Sequence, residues 1–383
     1  MISQTVLFWT CVVFLAYTYL GYPAVVHAWA KLRRQPCRWR NIEPTVSLVV
    51  VVHNEATRTE GRLKNLFALD FPRDRLEILI ASDGSTDGTL EAARAYEDRG
   101  VTVIAFDTRR GKPAVLNDVI PKAQGEIVVL ADARQHFEAD TLLALVNPFA
   151  DATVGAVSGE LILTQPEGGR TSIEEGVGFY WRYETFIRRN ESLVDSTVGA
   201  TGAIYAIRKE LFEPIPEDMI LDDVLLPMRI ARRGYRILFE PAARAYDRPA
   251  ATANEEFTRK VRTIAGNFQL LAREHWLLNP FRNRLWLQTI SHKVLRLLSP
   301  LFLTGVLVAN LLLLNESFYR WTLGIQLGFY SAALGGCILH LARIRILATS
   351  VPYVFCLLNC ATVVAFFRFV TGRQRVTWKK ASL

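Results

Sequence analysis

The chain has 383 residues, of which 50% are hydrophobic and 21% are charged. That composition is too apolar for an ordinary soluble domain of this length, and it excludes an intrinsically disordered chain. The net charge is +8, but the basic residues gather beside apolar segments instead of forming the basic stripe of a nucleic-acid-binding module. We therefore expect a membrane protein with no nucleic-acid partner. The sequence does not indicate an oligomeric state.

Four stretches of the chain contain no Asp, Glu, Lys or Arg: residues 1–30, 297–314, 321–342 and 346–367. Each is long enough to cross a hydrocarbon core, which takes about 20 apolar residues. The sequence thus predicts a transmembrane helix over 1–30 and three transmembrane segments within 297–370. Basic segments follow each group, a linker over 31–45 and a tail over 371–383.

The first apolar stretch ends in Ala28-Trp29-Ala30, which resembles a signal-peptide cleavage site. However, it has no basic residues before it, and it is longer than the apolar core of a signal peptide. We expect an uncleaved helix with its N-terminus outside, so that the basic linker lies in the cytosol. The domain after the linker is then cytosolic, and the protein is multi-pass in the cell (inner) membrane. Three further crossings would place the basic tail outside, against the positive-inside rule, and Pro352 leaves open a re-entrant last segment.

Residues 46–250 have the composition of a soluble domain. Continuous β-branched runs, as in Ser47–His53 and Glu126–Asp132, alternate with helix-like stretches. This alternation predicts an α/β domain with a mostly parallel sheet, which binds ligands at the carboxyl ends of its strands. After the domain, residues 255–275 and 281–298 each show apolar residues at helical spacing beside basic ones, which predicts two amphipathic interfacial helices within 255–298. An ordinary core-facing helix gives the same pattern.

Polar residues follow three of the predicted strands. They are His53-Asn54-Glu55, the turn Ser82-Asp83-Gly84-Ser85-Thr86-Asp87-Gly88, and Asp132-Ala133-Arg134. Taken alone, each has a plain explanation as a turn or a helix cap. Their shared position at one edge of a predicted sheet is what indicates a binding site.

These motifs, with Arg110-Gly-Lys-Pro-Ala-Val-Leu-Asn117, Gly199-Ala-Thr-Gly-Ala203 and Leu221-Asp-Asp223, resemble in order those of inverting family 2 glycosyltransferases with a GT-A fold. The resemblance extends to the membrane-embedded synthases of cellulose, chitin, hyaluronan and poly-N-acetylglucosamine. It implies sugar transfer from a nucleotide-sugar donor, expected to be a UDP-sugar, to a glycan or lipid-linked acceptor. It further implies donor-binding roles for His53, Asn54, Glu55, Asp83, Lys112, Asp132 and Arg262.

Inverting transfer needs a general base for the acceptor hydroxyl. The resemblance implies Asp223 as this base, with Asp222 as the neighbour that tunes it. Asp132 stands where the family's D-x-D motif begins and would hold Mg²⁺ or Mn²⁺ through oxygen ligands. The resemblance implies acceptor-binding roles for Gly202 and Thr263. Trp181 and Glu184, in the segment 179–184, are further candidates for the wall of an acceptor site. Core packing explains Trp181 and Glu184 about as well.

Three departures from the family pattern affect these expectations. Arg134 stands where the second Asp of the D-x-D motif belongs. In the Q-x-x-R-W motif of the synthases, Arg259 replaces the Gln and Thr263 replaces the Trp. A polymer synthase and a transferase that adds a single sugar therefore both remain open. A non-catalytic nucleotide-sugar-binding partner of another synthase is the alternative from a different class.

Overall fold

The computed structural model describes residues 2–163, 172–248, 252–341 and 346–374. Its helices, apart from short 3-10 turns, are α1 (Ile2–Ala16), α2 (Tyr22–Leu32), α3 (Ala56–Phe67), α4 (Thr89–Arg94), α5 (Lys112–Val119), α6 (Thr141–Val146), α7 (Ser172–Val194), α8 (Asp222–Arg232), α9 (Ala253–Arg273), α10 (Trp286–Gln288), α11 (Leu295–Leu312), α12 (Ser317–Leu341) and α13 (Leu347–Val370). Its strands are β1 (Val46–Val52), β2 (Leu76–Asp83), β3 (Val101–Phe106), β4 (Ile127–Asp132), β5 (His136–Phe137), β6 (Val154–Leu163), β7 (Ile204–Arg208) and β8 (Arg236–Asp247).

The chain divides into two compact units. One combines the N-terminal 31 residues with residues 165–187 and 249–374, and it contains the apolar helices. The other contains residues 32–164 and 188–248, and it holds all eight strands. Most of the basic tail predicted over 371–383 lies outside the described residues.

The strands form one mixed sheet in the order β3-β2-β1-β4-β7-β6-β8-β5. The first four are parallel to one another, whereas β7 is antiparallel to both β4 and β6. Every residue of β1 is buried, as expected for a central parallel strand covered on both faces. The α/β class predicted from the alternating runs is confirmed, with β7 and the short edge strand β5 antiparallel to their neighbours.

Among the residues that the structure describes, four helical segments are long and apolar enough to cross a membrane: Ile2–Leu32, Trp286–Leu312, Ser317–His340 and Ala348–Val370. They overlap the four predicted apolar stretches, and two of them contain a π-helical segment, Tyr17–Gly21 and Thr289–Val294. The apolar stripe of α9 packs against α13, where Val261 and Ala265 meet Ala361 and Ala365. That helix face is therefore covered by protein within its unit.

The second predicted interfacial helix differs from the observed one at its start. The pattern suggests a helix from residue 281, but helix begins only at Trp286. The buried Asn283 side chain donates to the carbonyl oxygen of Leu277 (2.8 Å) and accepts from the amide of Leu285 (3.0 Å). These local bonds satisfy backbone groups in a turn, and Asn side chains compete with helix in this way.

Candidate functional site

The site lies at the carboxyl ends of the three adjacent parallel strands β2, β1 and β4. In the register of the sheet, Val52 pairs with Ser82 and Val51 with Asp132, so the polar segments that follow these strands leave the sheet at one edge. This is the edge at which open α/β sheets bind ligands. The sequence-predicted residues His53, Asn54, Glu55, Asp83 and Asp132 meet here.

The loops after β1 and β2 are joined by hydrogen bonds. The His53 ring donates from Nδ1 to the carbonyl oxygen of Asp83 at 2.7 Å. Asn54 has a positive φ of 54°, a conformation that Asn tolerates better than most residues, and its side-chain oxygen accepts from the amide of Thr86 at 2.8 Å. The amide of Glu55 donates to Thr89 Oγ1 at 2.7 Å. These residues therefore build one framework from two loops.

The Glu55 and Asp83 carboxylates both point into the protein. The side chain of Glu55 pairs with Arg58 at 2.7 Å. Asp83 is fully buried, and its two carboxylate oxygens accept the backbone amides of Arg110 (2.6 Å) and Gly111 (2.9 Å). The Asp83 side chain thus joins the end of β2 to the loop that leads into α5.

Lys112, the first residue of α5, lies among the acidic residues of the site. Its ammonium Nζ is 2.9 Å from Asp132 Oδ1 and 3.9 Å from Asp222 Oδ2. Burial disfavours the charged lysine, but the charges of Asp132 and Asp222 outweigh that cost and raise the pKa of Lys112 above its ordinary value. Lys112 is therefore a permanent cation, and its neighbours are carboxylates from β4 and α8.

Asp222 and Asp223 occupy the first turn of α8, where the helix dipole favours negative charge. Asp222 is nearly buried and accepts a hydrogen bond from the Tyr205 hydroxyl at 3.4 Å. Burial raises the pKa of Asp223 to about 6, the charge of Asp222 adds to this rise, and Lys112 opposes it. Two adjacent acids thus have different surroundings, and Asp223 has a pKa suited to accepting a proton near neutral pH.

The small-residue loop 199–203 lies against these acids. Gly199, with φ of 81°, leaves no room for a side chain, because a Cβ there would be 2.9 Å from Val224 Cγ1. A Cβ on Gly202 would be 3.0 Å from Asp223 Oδ2. Glycine at 202 therefore keeps the space beside that carboxylate oxygen open.

Arg134, which replaces the second Asp of the D-x-D motif, pairs with an acidic residue of β8. Its Nη2 is 3.5 Å from Asp247 Oδ2, and the same oxygen accepts from Gln135 Nε2 at 3.0 Å. In the part of the chain that the structure describes, no three His, Cys, Asp or Glu side chains are grouped to hold a metal ion. A metal at Asp132 would therefore need ligands from substrate and water, which is usual for Mg²⁺.

Trp181, Glu184, Arg262 and Thr263 belong to the unit with the apolar helices. Lys260 Nζ lies 5.3 Å from the ring centre of Trp181 and 4.9 Å from that of Tyr180. Glu184 is buried, with His292 Nε2 at 2.9 Å from Oε1 and Arg296 Nη1 at 2.8 Å from Oε2. The structure therefore places Glu184 in an ion-pair cluster. Thr263 is exposed, and Arg262 is half-buried.

Two further residues of the site, Tyr205 and Asp247, are not predicted from the sequence. Tyr205 is a fully buried residue of β7, and the acids Asp222 and Asp223 add to the burial that raises the pKa of its hydroxyl. A tyrosine within a buried strand needs a hydrogen-bond partner for its hydroxyl, and this need is the feature of the sequence that could have indicated Tyr205. Asp247 ends β8, and no motif in the sequence marks it.

The chain is similar to known proteins in both sequence and fold. Residues 47–215 match the family model for glycosyl transferase family 2. The chain is 25% identical over 236 residues to the poly-beta-1,6-N-acetyl-D-glucosamine synthase of Staphylococcus aureus (strain COL), covering 60% of this chain and 56% of that protein. It is 27% identical over 248 residues to glycosyltransferase AglE of Haloferax volcanii, covering 62% of this chain and 75% of that protein. The matched region thus spans little more than half the length of the synthase.

Among solved structures, the chain is similar to the mannosyltransferase PcManGT of Pyrobaculum calidifontis, solved in complex with GDP-Man and Mn²⁺. The TM-score is 0.72 and the sequence identity 24%, with 96% of this chain and 99% of that chain covered. This likeness confirms the expected GT-A fold class.

Proposed function

Since the chain carries a glycosyl transferase family 2 domain over residues 47–215, we propose that it transfers a sugar, with inversion, from a nucleotide-sugar donor to an acceptor at the membrane. The observation that carries this proposal is the grouping of Lys112 with Asp132, Asp222 and Asp223 at the carboxyl edge of the sheet. This reaction needs two groups: a cation that stabilises the departing diphosphate, and a carboxylate with a raised pKa that accepts the proton of the acceptor hydroxyl.

Asp223 is the general base in this proposal. It takes the proton of the acceptor hydroxyl as that oxygen bonds to the anomeric carbon, while the bond from that carbon to the diphosphate oxygen breaks. Asp222 is engaged with the Tyr205 hydroxyl and lies near Lys112, which leaves Asp223 the better placed of the two. The open space beside Gly202 gives the acceptor hydroxyl a route to Asp223 Oδ2.

Lys112 offsets the negative charge that develops on the departing diphosphate. Its ammonium is already fixed by Asp132 and Asp222, so little reorganisation is needed during the reaction. His53 and Asn54 would line the donor site beside it, with Glu55 and Asp83 as buried members of the same framework. Arg262, on α9, would supply a second cation to the diphosphate.

A divalent cation, Mg²⁺ or Mn²⁺, fits Asp132 with the diphosphate and water as its other ligands. The Asp132 carboxylate is about one-third exposed, so it has free access on one side. When bound, the ion would neutralise charge on the diphosphate. The mannosyltransferase with the same fold was solved with Mn²⁺, which supports testing the metal here.

The acceptor is a glycan or a lipid-linked glycan in this proposal. Trp181 and Tyr180 present an aromatic surface with Lys260 beside it. Because Thr263 replaces the aromatic residue of the Q-x-x-R-W motif, Trp181 would be the residue that stacks on an acceptor sugar. Glu184 would contribute through its cluster with His292 and Arg296. Long-chain synthesis and single addition both fit this arrangement, and the similarity to a polysaccharide synthase supports the former.

The four apolar helical segments support a multi-pass protein of the cell (inner) membrane. The basic linker after the first segment supports a cytosolic sheet domain, because Lys and Arg are enriched in cytoplasmic flanks. A nucleotide-sugar donor is then taken from the cytosol.

A donor screen tests the proposed function. The purified full-length protein in nanodiscs is incubated with UDP- and GDP-sugars, and release of nucleoside diphosphate is measured with and without membrane extract as acceptor source. We expect release with one donor, and loss of that release in Asp223→Asn. Tight donor binding without release under any condition would support the alternative, a nucleotide-sugar-binding partner of another synthase. Product length on a gel separates a polymer from a single addition.

A further inference from the structure

The apolar segment Trp286–Leu312 and the helix α12 run antiparallel to each other. Next to the turn that joins them, Thr322 Oγ1 donates to Asn310 Oδ1 at 2.7 Å. Further from the turn, Gln326 Nε2 donates to the carbonyl oxygen of Leu303 at 3.2 Å. α12 therefore returns to the side of the membrane at which the first segment begins. We call this the entry side, and it is the cytosolic side in the proposed orientation.

The N-terminal end of α13 lies at the entry side, because it packs against the C-terminal half of α12. A Cβ on Gly336 would be 2.9 Å from Tyr353 Cβ, and the rings of His340 and Tyr353 stack with their centres 6.1 Å apart. The ring of Phe355 meets that of Phe329 edge-on at 5.6 Å. α13 thus starts beside the end of α12.

The C-terminal end of α13 packs against α9. The apolar stripe of α9 lies along this end, and the ring centre of Phe268 is 5.4 Å from that of Phe366 and 6.1 Å from that of Phe369. α9 ends at Arg273, about 7.5 Å further along its axis than Phe268. The end of α13 is therefore close to the end of α9.

The end of α9 is itself joined to the start of the Trp286–Leu312 segment. The ring nitrogen of Trp286 donates to the carbonyl oxygen of Leu278 at 2.9 Å, and the buried Asn283 side chain donates to Thr289 Oγ1 at 3.0 Å. The first turns of α9 also carry charged side chains, which are costly inside hydrocarbon: Glu255, Glu256, Arg259 and Lys260. The C-terminal end of α13 is therefore at the entry side as well.

The length of α13 makes this arrangement informative. The helix has 24 residues and is about 36 Å long, which exceeds a hydrocarbon core of about 30 Å. A crossing would place its two ends on opposite sides of the membrane, whereas the contacts place both at the entry side. We propose that α13 does not cross the membrane, and that it lies with α9 along the cytosolic surface. The inference goes beyond the proposed function, since it concerns no step of sugar transfer.

This arrangement removes the conflict between the basic tail and the positive-inside rule. Three crossings after the sheet domain would put the tail outside, but two crossings leave it in the cytosol, where Lys and Arg are enriched. The basic residues concerned are Arg373, Arg375, Lys379 and Lys380. The charge of the sequence and the helix contacts thus favour the same topology.

The C-terminal end of α13 presents apolar and basic side chains together. Arg368 is exposed. Four large apolar residues around it are between 42% and 63% exposed: Val363, Phe366, Phe367 and Val370. The partner that fits such a surface is the cytosolic lipid leaflet, with the rings among acyl chains and the guanidinium at the phosphate groups.

Reporter fusions at the C-terminus test the proposal without a substitution. The full chain is fused after Leu383 to green fluorescent protein, which becomes fluorescent in the cytosol, or to alkaline phosphatase, which becomes active outside it. We expect fluorescent cells and an inactive phosphatase. An active phosphatase and a dark fluorescent protein would show that α13 crosses the membrane, and they would overturn the proposal.

Thiol labelling of intact and lysed cells locates the end of α13 directly. On a background without native cysteines, Thr371→Cys is compared with Arg94→Cys in the sheet domain and with Asn315→Cys between α11 and α12, all at exposed positions. Thr371→Cys should react with a membrane-impermeant reagent in the same way as Arg94→Cys. The pattern of Asn315→Cys would contradict the proposal. A reversed orientation of the whole protein would exchange the two controls but leave Thr371→Cys with Arg94→Cys, so the two failures are distinguishable.

A spin label tests the lipid contact in nanodiscs. Dissolved oxygen collides with labels in lipid, whereas a water-soluble nickel complex collides with labels in water. A label at Phe367→Cys should favour oxygen, as should one at Leu301→Cys, which is 66% exposed within the Trp286–Leu312 segment. A label at Arg94→Cys should favour nickel. Collisions mainly with nickel at Phe367→Cys would place this end of α13 in water and overturn its assignment to the lipid surface.

Discussion

The amide of Ala200 donates a 2.8 Å hydrogen bond to the backbone carbonyl oxygen of Asp223. This bond ties the small-residue loop to the first turn of α8, so the loop and the proposed base keep a fixed spacing. Gly202 lies two residues further along, at the position where a Cβ would be 3.0 Å from Asp223 Oδ2. The geometry of the base therefore depends on a loop that carries no reactive group.

Gly202→Ala should lower transfer by about tenfold or more, while donor affinity stays nearly unchanged, because the added methyl crowds the carboxylate and not the nucleotide. Initial rates and donor Kd would be measured together. Gly61→Ala is the matched control, since a Cβ there meets nothing within 4 Å. Equal activity of both variants would indicate that Asp223 Oδ2 needs no such space.

The pH dependence of transfer should report Asp223. With a pKa of about 6, the carboxylate is ionised above that pH, so kcat/KM should rise through pH 6 to a plateau and fall tenfold per unit below it. Asp223→Asn should lose roughly 10²–10⁴-fold in rate and lose this limb. A variant that keeps the acid limb would mean that the titrating base is another residue.

Asp132 should couple the reaction to a divalent cation. Chelation by EDTA should abolish nucleotide release, and Mg²⁺ or Mn²⁺ should restore it. Asp132→Ala should remove the metal stimulation, because it deletes the proposed protein ligand. Full activity of the wild type in chelator would leave charge stabilisation to Lys112 and its cationic neighbours.

Arg262 should be needed as a forked cation. Arg262→Ala should lose nearly all transfer with little loss of folded protein, and Arg262→Lys should keep part of it, because lysine keeps the charge without the two-pronged donor set. Arg259 lies three residues earlier on the same helix and pairs with Glu255, so Arg259→Ala is the control. The Arg259–Glu255 pair is only partly buried, and surface pairs are worth about 0–1 kcal/mol, so we expect a correspondingly small effect. Similar rates for both alanine variants would reduce Arg262 to a structural role.

Thiol labelling of intact cells should establish the orientation. On a background without native cysteines, Arg94→Cys should resist a membrane-impermeant reagent, and Asn315→Cys should react. Both positions are exposed, and Asn315 lies between α11 and α12. The prediction follows from a cytosolic sheet domain with the Trp286–Leu312 segment leading outward. The reverse labelling pattern would place the domain outside.

The sheet and the position of the site at its edge could be predicted, because strand ends in a parallel sheet are local features of the sequence. The direction of each side chain could not. Asp83 belongs to a turn whose sequence predicts ligand binding, yet its carboxylate faces the loop before Lys112. That loop follows β3, and the pairing of β2 with β3 is what brings it close to Asp83.

The same limit applies to charged pairs between distant segments. Arg134 turns to Asp247, and Glu184 is buried with His292 and Arg296. The sequence shows that these residues are charged, but not which opposite charge the fold will place beside them. The start of a helix is another feature that the sequence does not determine. The amphipathic pattern begins at residue 281, but the turn held by the Asn283 side chain delays the helix to Trp286.

The strand order also has a consequence for how the chain folds during translation. The central strand β4 is flanked by β1, made long before it, and by β7, which pairs Ile127 with Arg208. At a translation rate of about 5–20 residues per second, β4 keeps one unpaired edge for several seconds. Unpaired edges promote association between chains. A nascent chain stalled between β6 and β7 should therefore be a preferred substrate for chaperones, more so than one released after β8.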